Sequence, residues 1–252
     1  MFHENVGKNE SEMAFWEVRA KKYNELEWVN NESYLELIKE VGEFWKEDYV
    51  LDVGTGTGMI ARTVSPLVHE VIGVDISPHM LERGKWSGNM YCVRRDIRER
   101  LFAGETFSKV TARMVFHGIL TGTQAAMDEC YRVLKKGGRM ILAEGVPPGR
   151  EVREDYVRIF ELKEARLTFM EDDLVELMAA SGFKDIKVYG HYMRAMSVSN
   201  WLEKSGLPQE VQDRIFEMHI TAGDYFRKAY NMKIVRGDCL IDMKNAIVVG
   251  EK

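Results

Sequence analysis

The sequence has few of the residues that build disulfide-linked or membrane-spanning proteins. Only three of its 252 residues are cysteines, at positions 92, 130 and 239, and none belongs to a C-x-x-C pair. Such scattered cysteines offer no zinc module and no disulfide framework, and they are typical of a reducing compartment. No stretch approaches the roughly 18 uninterrupted apolar residues of a membrane span, and residues 1–12 lack the apolar core of a signal peptide. We therefore expect a cytoplasmic protein with no metal site and no membrane association.

An excess of positive charge is also missing. The chain has 35 lysines and arginines against 40 aspartates and glutamates, a formal net charge of -5. Its basic pairs, such as Arg94-Arg95 and Lys135-Lys136, are too short to line a phosphate backbone. Nucleic acid is therefore not expected as the main partner. The 45% apolar and 30% charged content is that of a globular protein, and the length suits one substantial α/β domain.

Short apolar runs alternate with helical patterns along most of the chain. Strands are expected at residues 50–53, 71–74, 90–93, 110–116, 140–143, 183–189 and 246–249. Helices are expected at residues 59–67, 124–134, 151–166 and 198–204, with one more opened by Ser77-Pro78. The 124–134 helix is expected to stop at Lys135–Gly138. This alternation predicts a doubly wound, mostly parallel seven-stranded α/β sheet.

Further helical segments surround this core. A capping box at residues 168–171 predicts a helix that ends before Gly182. Apolar residues from 211 to 229 recur at spacings of 4-3-4-3-4, which predicts one long amphipathic helix. We expect a single domain with helical lid insertions at the ligand-binding edge of the sheet. Its parts are a helical N-terminal cap at about 11–46, a core at about 47–190 and 241–252, and a helical lid at about 191–240.

A glycine-rich turn follows the first predicted strand. Gly54, Gly56 and Gly58 occupy every second position, and Asp52 precedes them in the strand. Glycines at such a turn let the backbone approach a ligand closely. On its own, Gly56-x-Gly58-x-x-Ala61 satisfies the dinucleotide fingerprint. The acid before the loop favours a different ligand.

Asp52 and the three glycines resemble the first motif, [D/E]-x-G-x-G-x-G, of the class I S-adenosylmethionine-dependent methyltransferases. The likeness is greatest to the small-molecule branch that includes the ubiquinone/menaquinone-biosynthesis enzymes. Residues 71–81 look like the second motif of that family, and residues 133–142 match its stretch before the fifth strand. The resemblance covers about residues 12–190 and 244–250. It implies a Rossmann-like fold, S-adenosyl-L-methionine as cofactor, and methylation of an O, N or C atom of a small-molecule metabolite.

The resemblance also implies which residues hold the cofactor. Asp75 would bind both ribose hydroxyls, Ile76 would pack on the adenine, and Asp96 would contact the adenine amino group. An N-terminal helix with Arg19 and Tyr23 would close over the methionine end. The expected set is Arg19, Tyr23, Asp52, Gly54, Thr55, Gly56, Gly58, Asp75, Ile76, Met80, Asp96, Ile97 and Met114.

Methyl transfer depends mainly on alignment of the reactants and needs a base only if the acceptor arrives protonated. His117, just past the fourth strand, is the candidate base, and it stands where related enzymes often have paired histidines. Tyr23 is a second catalytic candidate. Near or within the lid, the expected acceptor-binding residues are His191, Tyr192, Asn200, Trp201 and His219.

Two other functions remain open at this point. One is an NAD(P)-dependent oxidoreductase that uses the fingerprint at residues 56–61, although no convincing hydride-transfer pair accompanies it. The other is a non-catalytic nucleotide-binding protein that forms a homodimer through the apolar stripe at residues 211–229. The intact glycine loop, with Asp75 and Asp96, argues against a complete loss of nucleotide binding.

Overall fold

A mixed sheet forms the centre of the computed structural model, which describes residues 16–100 and 102–252. Within these residues the sheet has eight strands. In chain order they are β1 (Tyr49–Val53), β2 (Glu70–Asp75), β3 (Met90–Arg94), β4 (Phe107–Arg113), β5 (Leu134–Gly145), β6 (Lys184–Ser197), β7 (Lys233–Val235) and β8 (Asp238–Glu251). Their order across the sheet is β3-β2-β1-β4-β5-β8-β6, and β7 pairs with β8 outside this path.

The sheet confirms the predicted doubly wound α/β fold. Strands β3, β2, β1, β4 and β5 pair in parallel, whereas β8 runs antiparallel between β5 and β6. The additional strand is β7, which forms a short hairpin with β8. Its turn is Arg236-Gly237, where both residues have positive φ angles of 52° and 86°, the backbone of a two-residue hairpin turn.

Helices cover both faces of the sheet. They are α1 (Glu32–Gly42), α2 (Met59–Val64), α3 (Pro78–Glu82), α4 (Thr123–Val133), α5 (Arg153–Lys163), α6 (Glu171–Ser181), α7 (Val198–Glu203), α8 (Gln209–Ile220) and α9 (Asp224–Ala229). Helices α4 and α6 bury Met127 and Leu174 in the core on one face. Helices α1 and α2 bury Ile38 and Ile60 in the core on the other face. No helix in the described ranges is both long and apolar enough to cross a membrane.

The N-terminal cap is less regular than the helical pattern predicted. Residues 11–15 lie outside the described part of the chain. Residues 16–20 are helical, and they lead into two 3₁₀ turns, Tyr23–Glu25 and Glu27–Asn30, before α1 begins. The Asn31 side chain accepts a hydrogen bond from the Tyr34 amide at 3.1 Å and so caps α1.

Three strand boundaries differ from the sequence prediction. Strand β4 ends at Arg113 and not at residue 116, because Met114 has a positive φ of 56° that breaks the strand. Strand β5 begins at Leu134, so the residues 135–138 that were expected to stop a helix already belong to the strand. Strand β6 continues to Ser197. Residues 191–197 are therefore sheet, and the helical insertion lies between β6 and β7.

The long helix expected at residues 211–229 is wrong. The chain breaks between Ile220 and Asp224, because Gly223 adopts an extended conformation (φ -69°, ψ 167°) and separates α8 from α9. The break turns α9 so that Phe226 and Tyr230 are buried and stack with their ring centroids 4.4 Å apart. The heptad-like spacing survives across the break because both helices bury apolar residues in the same cluster.

The helix predicted after residue 168 begins slightly later than its capping box suggested. Helix α6 starts at Glu171, and the Asp173 carboxylate accepts a hydrogen bond from the Met170 amide at 2.7 Å. The helix ends as expected at Gly182, which has a φ of 102°.

A substitution at Phe107 measures how much the core at the start of β4 contributes to stability. Its side chain is fully buried and contacts the Phe102 ring edge-on, with centroids 5.0 Å apart. We expect Phe107→Ala to lower the free energy of unfolding by about 3–5 kcal/mol, because the cavity would not collapse completely. Urea denaturation measures the change. The control Tyr91→Ala, on an exposed side chain of β3, should change stability by less than about 1 kcal/mol, and equal losses in the two variants would contradict the prediction.

Candidate active site

The glycine loop joins the end of β1 to α2 at the carboxyl edge of the sheet. Gly54, Gly56 and Gly58 all have positive φ angles, of 60°, 55° and 76°. A Cβ atom on Gly54 would lie 2.2 Å from Cγ2 of Val115, so that position excludes any side chain. At Gly58 the loop packs against the Trp86 ring, a neighbour that the sequence motif did not indicate. The loop thus presents bare backbone at the edge where open α/β sheets bind ligands.

Asp52 lies buried beneath this loop. Its carboxylate accepts hydrogen bonds from the Thr55 hydroxyl at 2.5 Å and from the Thr111 hydroxyl at 2.7 Å. Burial raises the pKa of Asp52 to about 6, although both hydroxyls and the nearby Arg113 oppose the shift. Asp52 therefore anchors the loop to β4 and places a negative charge below it at neutral pH.

Asp75 ends the neighbouring strand β2 and is tied to the same loop. One carboxylate oxygen accepts the Gly56 amide at 2.9 Å, and the other accepts the Ser77 amide at 2.8 Å. Burial raises the pKa of Asp75 against the effect of these amides. Ser77 caps α3, as the sequence predicted, by accepting a hydrogen bond from the Met80 amide at 3.3 Å. The carboxylate is thus fixed in orientation beside the glycine loop.

The residues expected around an adenine are only partly brought together. Ile76 is exposed next to Asp75, whereas Met80 is buried with its terminal carbon against Gly56. Ile97 is buried in the hydrophobic core and does not line the narrow cleft beside the glycine loop. The Asp96 carboxylate is paired with Arg98, which holds the pKa of Asp96 below its usual value despite partial burial.

The cap covers the other end of the glycine loop. Tyr23 and Arg113 line a narrow cleft of about 10 Å³ together with Asp52 and Thr55. The Arg113 guanidinium lies 5.4 Å from the centroid of the Trp28 ring, and Tyr23 meets the same ring edge-on at 5.6 Å. Burial raises the pKa of Tyr23, so its phenol remains protonated at neutral pH. Tyr23 is therefore placed to donate a hydrogen bond and is unsuited to act as a base.

His117 forms a buried pair with Glu144, a residue that the sequence analysis did not single out. Its Nδ1 lies 2.7 Å from one carboxylate oxygen of Glu144 at the end of β5. The other oxygen accepts the amides of Val115, Phe116 and His117 at 3.0, 2.7 and 3.3 Å. Burial would raise the pKa of Glu144, but His117 and Arg166 hold it below its usual value. Glu144 therefore remains ionised and fixes both the loop and the imidazole.

Met114 belongs to the same loop. Its sulfur accepts a hydrogen bond from the Gly145 amide at 3.2 Å, and its own amide donates to the Ala143 carbonyl at 2.8 Å. The side chain thus packs against the end of β5 and contacts the core beneath the cap.

A second cavity of about 430 Å³ lies beside the His117 loop. Its walls come from α5 and the segment that follows it, with Leu120 from the loop after β4. The Leu167 amide donates to the His117 carbonyl at 2.7 Å, which joins the cavity wall to the histidine. Its lining includes Leu120, Phe160, Glu161, Glu164, Arg166 and Thr168.

Four charged side chains connect the two cavities. Arg19 pairs with Glu164 at 2.7 Å, and Lys163 pairs with the same carboxylate oxygen at 2.6 Å. Arg166 approaches the other oxygen of Glu164 at 3.5 Å. Arg19 also lies 6.0 Å from the centroid of the Tyr23 ring, on the wall of the first cavity. The N-terminal cap is therefore joined by ion pairs to the wall of the second cavity.

The acceptor-binding residues expected from the lid are not gathered around His117. His219 is buried between Trp201 and Phe226, and its Nδ1 is 2.8 Å from the Ile215 carbonyl. Burial lowers its pKa. Trp201 also packs on Phe160 with centroids 5.5 Å apart, so it lies behind the second cavity.

Of the remaining three expected residues, His191 and Asn200 contact the N-terminal segment, whereas Tyr192 follows His191 in β6 and so points to the opposite face of the sheet. His191 Nε2 is 3.0 Å from the Ser33 hydroxyl of α1. The Asn200 side chain accepts a hydrogen bond from the Glu27 amide at 3.3 Å, and the Tyr192 ring is covered by Arg194 at 4.7 Å. No group of three or more histidine, cysteine, aspartate or glutamate residues in the described ranges could hold a metal ion.

Comparison with known proteins identifies this arrangement. The family described as methyltransferase domain matches residues 51–142, from the buried acid of β1 into β5. A methyltransferase from Bacillus subtilis, YcgJ, is 26% identical over 207 residues, which cover 78% of this chain and 80% of that protein. A demethylmenaquinone methyltransferase from Deinococcus radiodurans is 30% identical over 164 residues, which cover 54% of this chain and 67% of that protein.

Structural comparison shows that the fold is shared. The crystal structure of YcgJ superimposes with a TM-score of 0.76 at 23% identity, over 86% of this chain and 97% of that one. The family match therefore favours a methyltransferase over an NAD(P)-dependent oxidoreductase. The chain belongs to the class I S-adenosylmethionine-dependent methyltransferases and is an enzyme that takes S-adenosylmethionine as its cofactor.

Proposed function

We propose that this enzyme methylates an O, N or C atom of a small-molecule metabolite, with His117 as the general base. The observation that carries the proposal is the His117–Glu144 pair at the carboxyl edge of the sheet, 2.7 Å between Nδ1 and the carboxylate. A buried, ionised carboxylate that orients an imidazole is the usual support of a histidine base. Glu144 has no solvent exposure, so its charge acts on His117 with little screening.

The residues around the glycine loop suit the adenosyl part of the cofactor. The Asp75 carboxylate is held by two backbone amides and offers its remaining lone pairs to a pair of hydroxyl groups. The bare backbone at Gly54 and Gly56 forms a cradle that a side chain would fill. When bound, S-adenosylmethionine supplies a methyl group from its sulfonium, and the rest of the cofactor leaves as a neutral thioether.

The proton of the acceptor would pass to His117. Because Glu144 is ionised, Nδ1 of His117 carries a proton and donates it in the hydrogen bond, which leaves Nε2 as the accepting nitrogen. During methyl transfer the acceptor atom would release its proton to Nε2. Glu144 then stabilises the imidazolium that results.

The cap has to open for the methionine end of the cofactor to enter. The cleft lined by Tyr23, Arg113 and Asp52 has a volume of about 10 Å³, which is close to the space that one water molecule needs. An outward movement of residues 16–30 would enlarge it. Closure afterwards would exclude water and position Tyr23 as a hydrogen-bond donor.

Asp75→Asn tests the assignment of the adenosyl site. The substitution keeps the size of the side chain but removes the charge that strengthens hydrogen bonds to the ribose. We expect the Kd for S-adenosylhomocysteine to rise about 10- to 100-fold, as expected for loss of charge-assisted hydrogen bonds. Isothermal titration calorimetry measures it. Glu70→Gln, at the opposite end of β2, is the matched control and should bind normally; an affinity within about twofold of wild type for Asp75→Asn would remove the ribose assignment.

His117→Ala tests the proposed base. We expect kcat for transfer of a tritiated methyl group from S-adenosylmethionine to a pool of cellular metabolites to fall about 100- to 10,000-fold. Affinity for S-adenosylhomocysteine should remain close to wild type, because the loss concerns proton transfer. His69→Ala, on an exposed histidine, is the control. Undiminished transfer by His117→Ala would show that the acceptor needs no base from this histidine.

A further inference from the structure

Arg166 is buried in the wall of the second cavity with part of its hydrogen-bonding capacity unused. Its side chain is only 6% exposed. Its Nη2 is buried and donates no hydrogen bond to any residue in the described part of the chain. An unsatisfied buried donor on a charged group is costly, which points to a ligand that completes it.

The guanidinium is held in a fixed plane. It lies 4.2 Å from the centroid of the Phe160 ring, and its Nε donates to the Leu167 carbonyl at 3.3 Å. The only carboxylate that approaches it closely among the described residues is Glu164, at the long distance of 3.5 Å from Nη1. A planar guanidinium with an unpaired Nη2 suits a carboxylate, which it binds through charge-assisted hydrogen bonds.

Among the described residues, Arg166 shares its one close acidic neighbour with two other basic side chains. Glu164 is shared by Arg19, Lys163 and Arg166. Burial and the neighbouring Arg19 lower the pKa of Lys163 to about 7, even though Glu164 opposes the shift. One carboxylate thus serves three buried basic groups.

Of the described residues, the two other acids near the cavity do not pair with Nη2 of Arg166. Glu144 lies close enough to be affected by Arg166, but its oxygens are occupied by His117 and the three loop amides. Glu161 lies exposed on the rim of the cavity, where solvent screens its charge. A bound anion would pair with this unused donor.

The cavity is also placed to serve the reaction. Leu167, next to Arg166, is hydrogen-bonded to the carbonyl of His117 at 2.7 Å. Its other walls include the side chains of Leu120, Phe160 and Thr168, which suit an apolar or aromatic body. Its volume of about 430 Å³ falls in the range of small-molecule sites.

We propose that this cavity binds the methyl acceptor and that the acceptor is a carboxylate-bearing small molecule whose carboxylate pairs with Nη2 of Arg166. The inference rests on the proposed function, because it assigns the acceptor class to the same site. The carboxylate anchors one end of the acceptor, and the atom to be methylated lies at the other end, toward His117.

Binding of small aromatic probes to the enzyme saturated with S-adenosylhomocysteine tests this proposal. Calorimetric titration compares benzoate with benzamide, which has the same shape and no charge. We expect wild type to bind benzoate at least about tenfold more tightly, the value of a charge-assisted pair. Equal affinities would overturn the proposal. Phenyl phosphate distinguishes a carboxylate site from a phosphate site. Tighter binding of phenyl phosphate than of benzoate would overturn the assignment to a carboxylate.

Variants of Arg166 test whether this residue causes the preference for benzoate over benzamide. Arg166→Gln should abolish the preference for benzoate, whereas Arg158→Gln, on a side chain of α5 that is 63% exposed, should keep it. A preference that survives Arg166→Gln would overturn the proposal. Should Arg166→Gln fail to fold, Arg166→Lys decides, since a reduced preference supports the proposal and an unchanged preference contradicts it.

The same titration separates this inference from the proposed base. His117→Ala should bind benzoate as wild type does, because the anion site does not use the imidazole. Undiminished methyl transfer by His117→Ala, together with an Arg166-dependent preference for benzoate, would refute the base and leave the anion site standing. Loss of the benzoate preference in His117→Ala would overturn the separate anion site.

Discussion

The carboxyl edge of the sheet takes its shape from one buried carboxylate. Glu144 stands near the end of β5, directly after the buried apolar run Met140–Ala143, and accepts three consecutive backbone amides of the loop after β4. A carboxylate without water needs such partners, since an unpaired buried charge is very costly. In satisfying Glu144, the chain turns at Met114 and brings His117 onto the second carboxylate oxygen. The need to pair this charge therefore fixes the position of His117.

A second group of buried charges joins the cap to the wall of the second cavity. Arg19 belongs to the cap, whereas Glu164 and Arg166 follow α5. Movement of the cap would strain or break the Arg19–Glu164 pair, and an anion at Arg166 would alter the balance of charge around the same glutamate.

The sequence was sufficient for features that depend on local chemistry. Strands β1 and β2, the glycine loop and the cap at Ser77 follow from short patterns of apolar residues, glycines and capping side chains, and Asp52 and Asp75 lie beside the loop as predicted. Glu144 could not be found in this way, because a lone acid in an apolar strand does not reveal its partner 27 residues away. The break at Gly223 was hidden for a related reason, since apolar spacing reports burial and not the continuity of a helix.

Catalysis by His117 depends on the position of this residue relative to the cofactor. A crystal structure of the complex with S-adenosylhomocysteine measures it directly. We predict that Nε2 of His117 lies within about 8 Å of the sulfur, with the second cavity opening between them, since a base must reach an acceptor atom that itself lies about 3 Å from the methyl carbon. A structure in which the protein backbone or the closed cap separates His117 from the sulfur would contradict its role as the base.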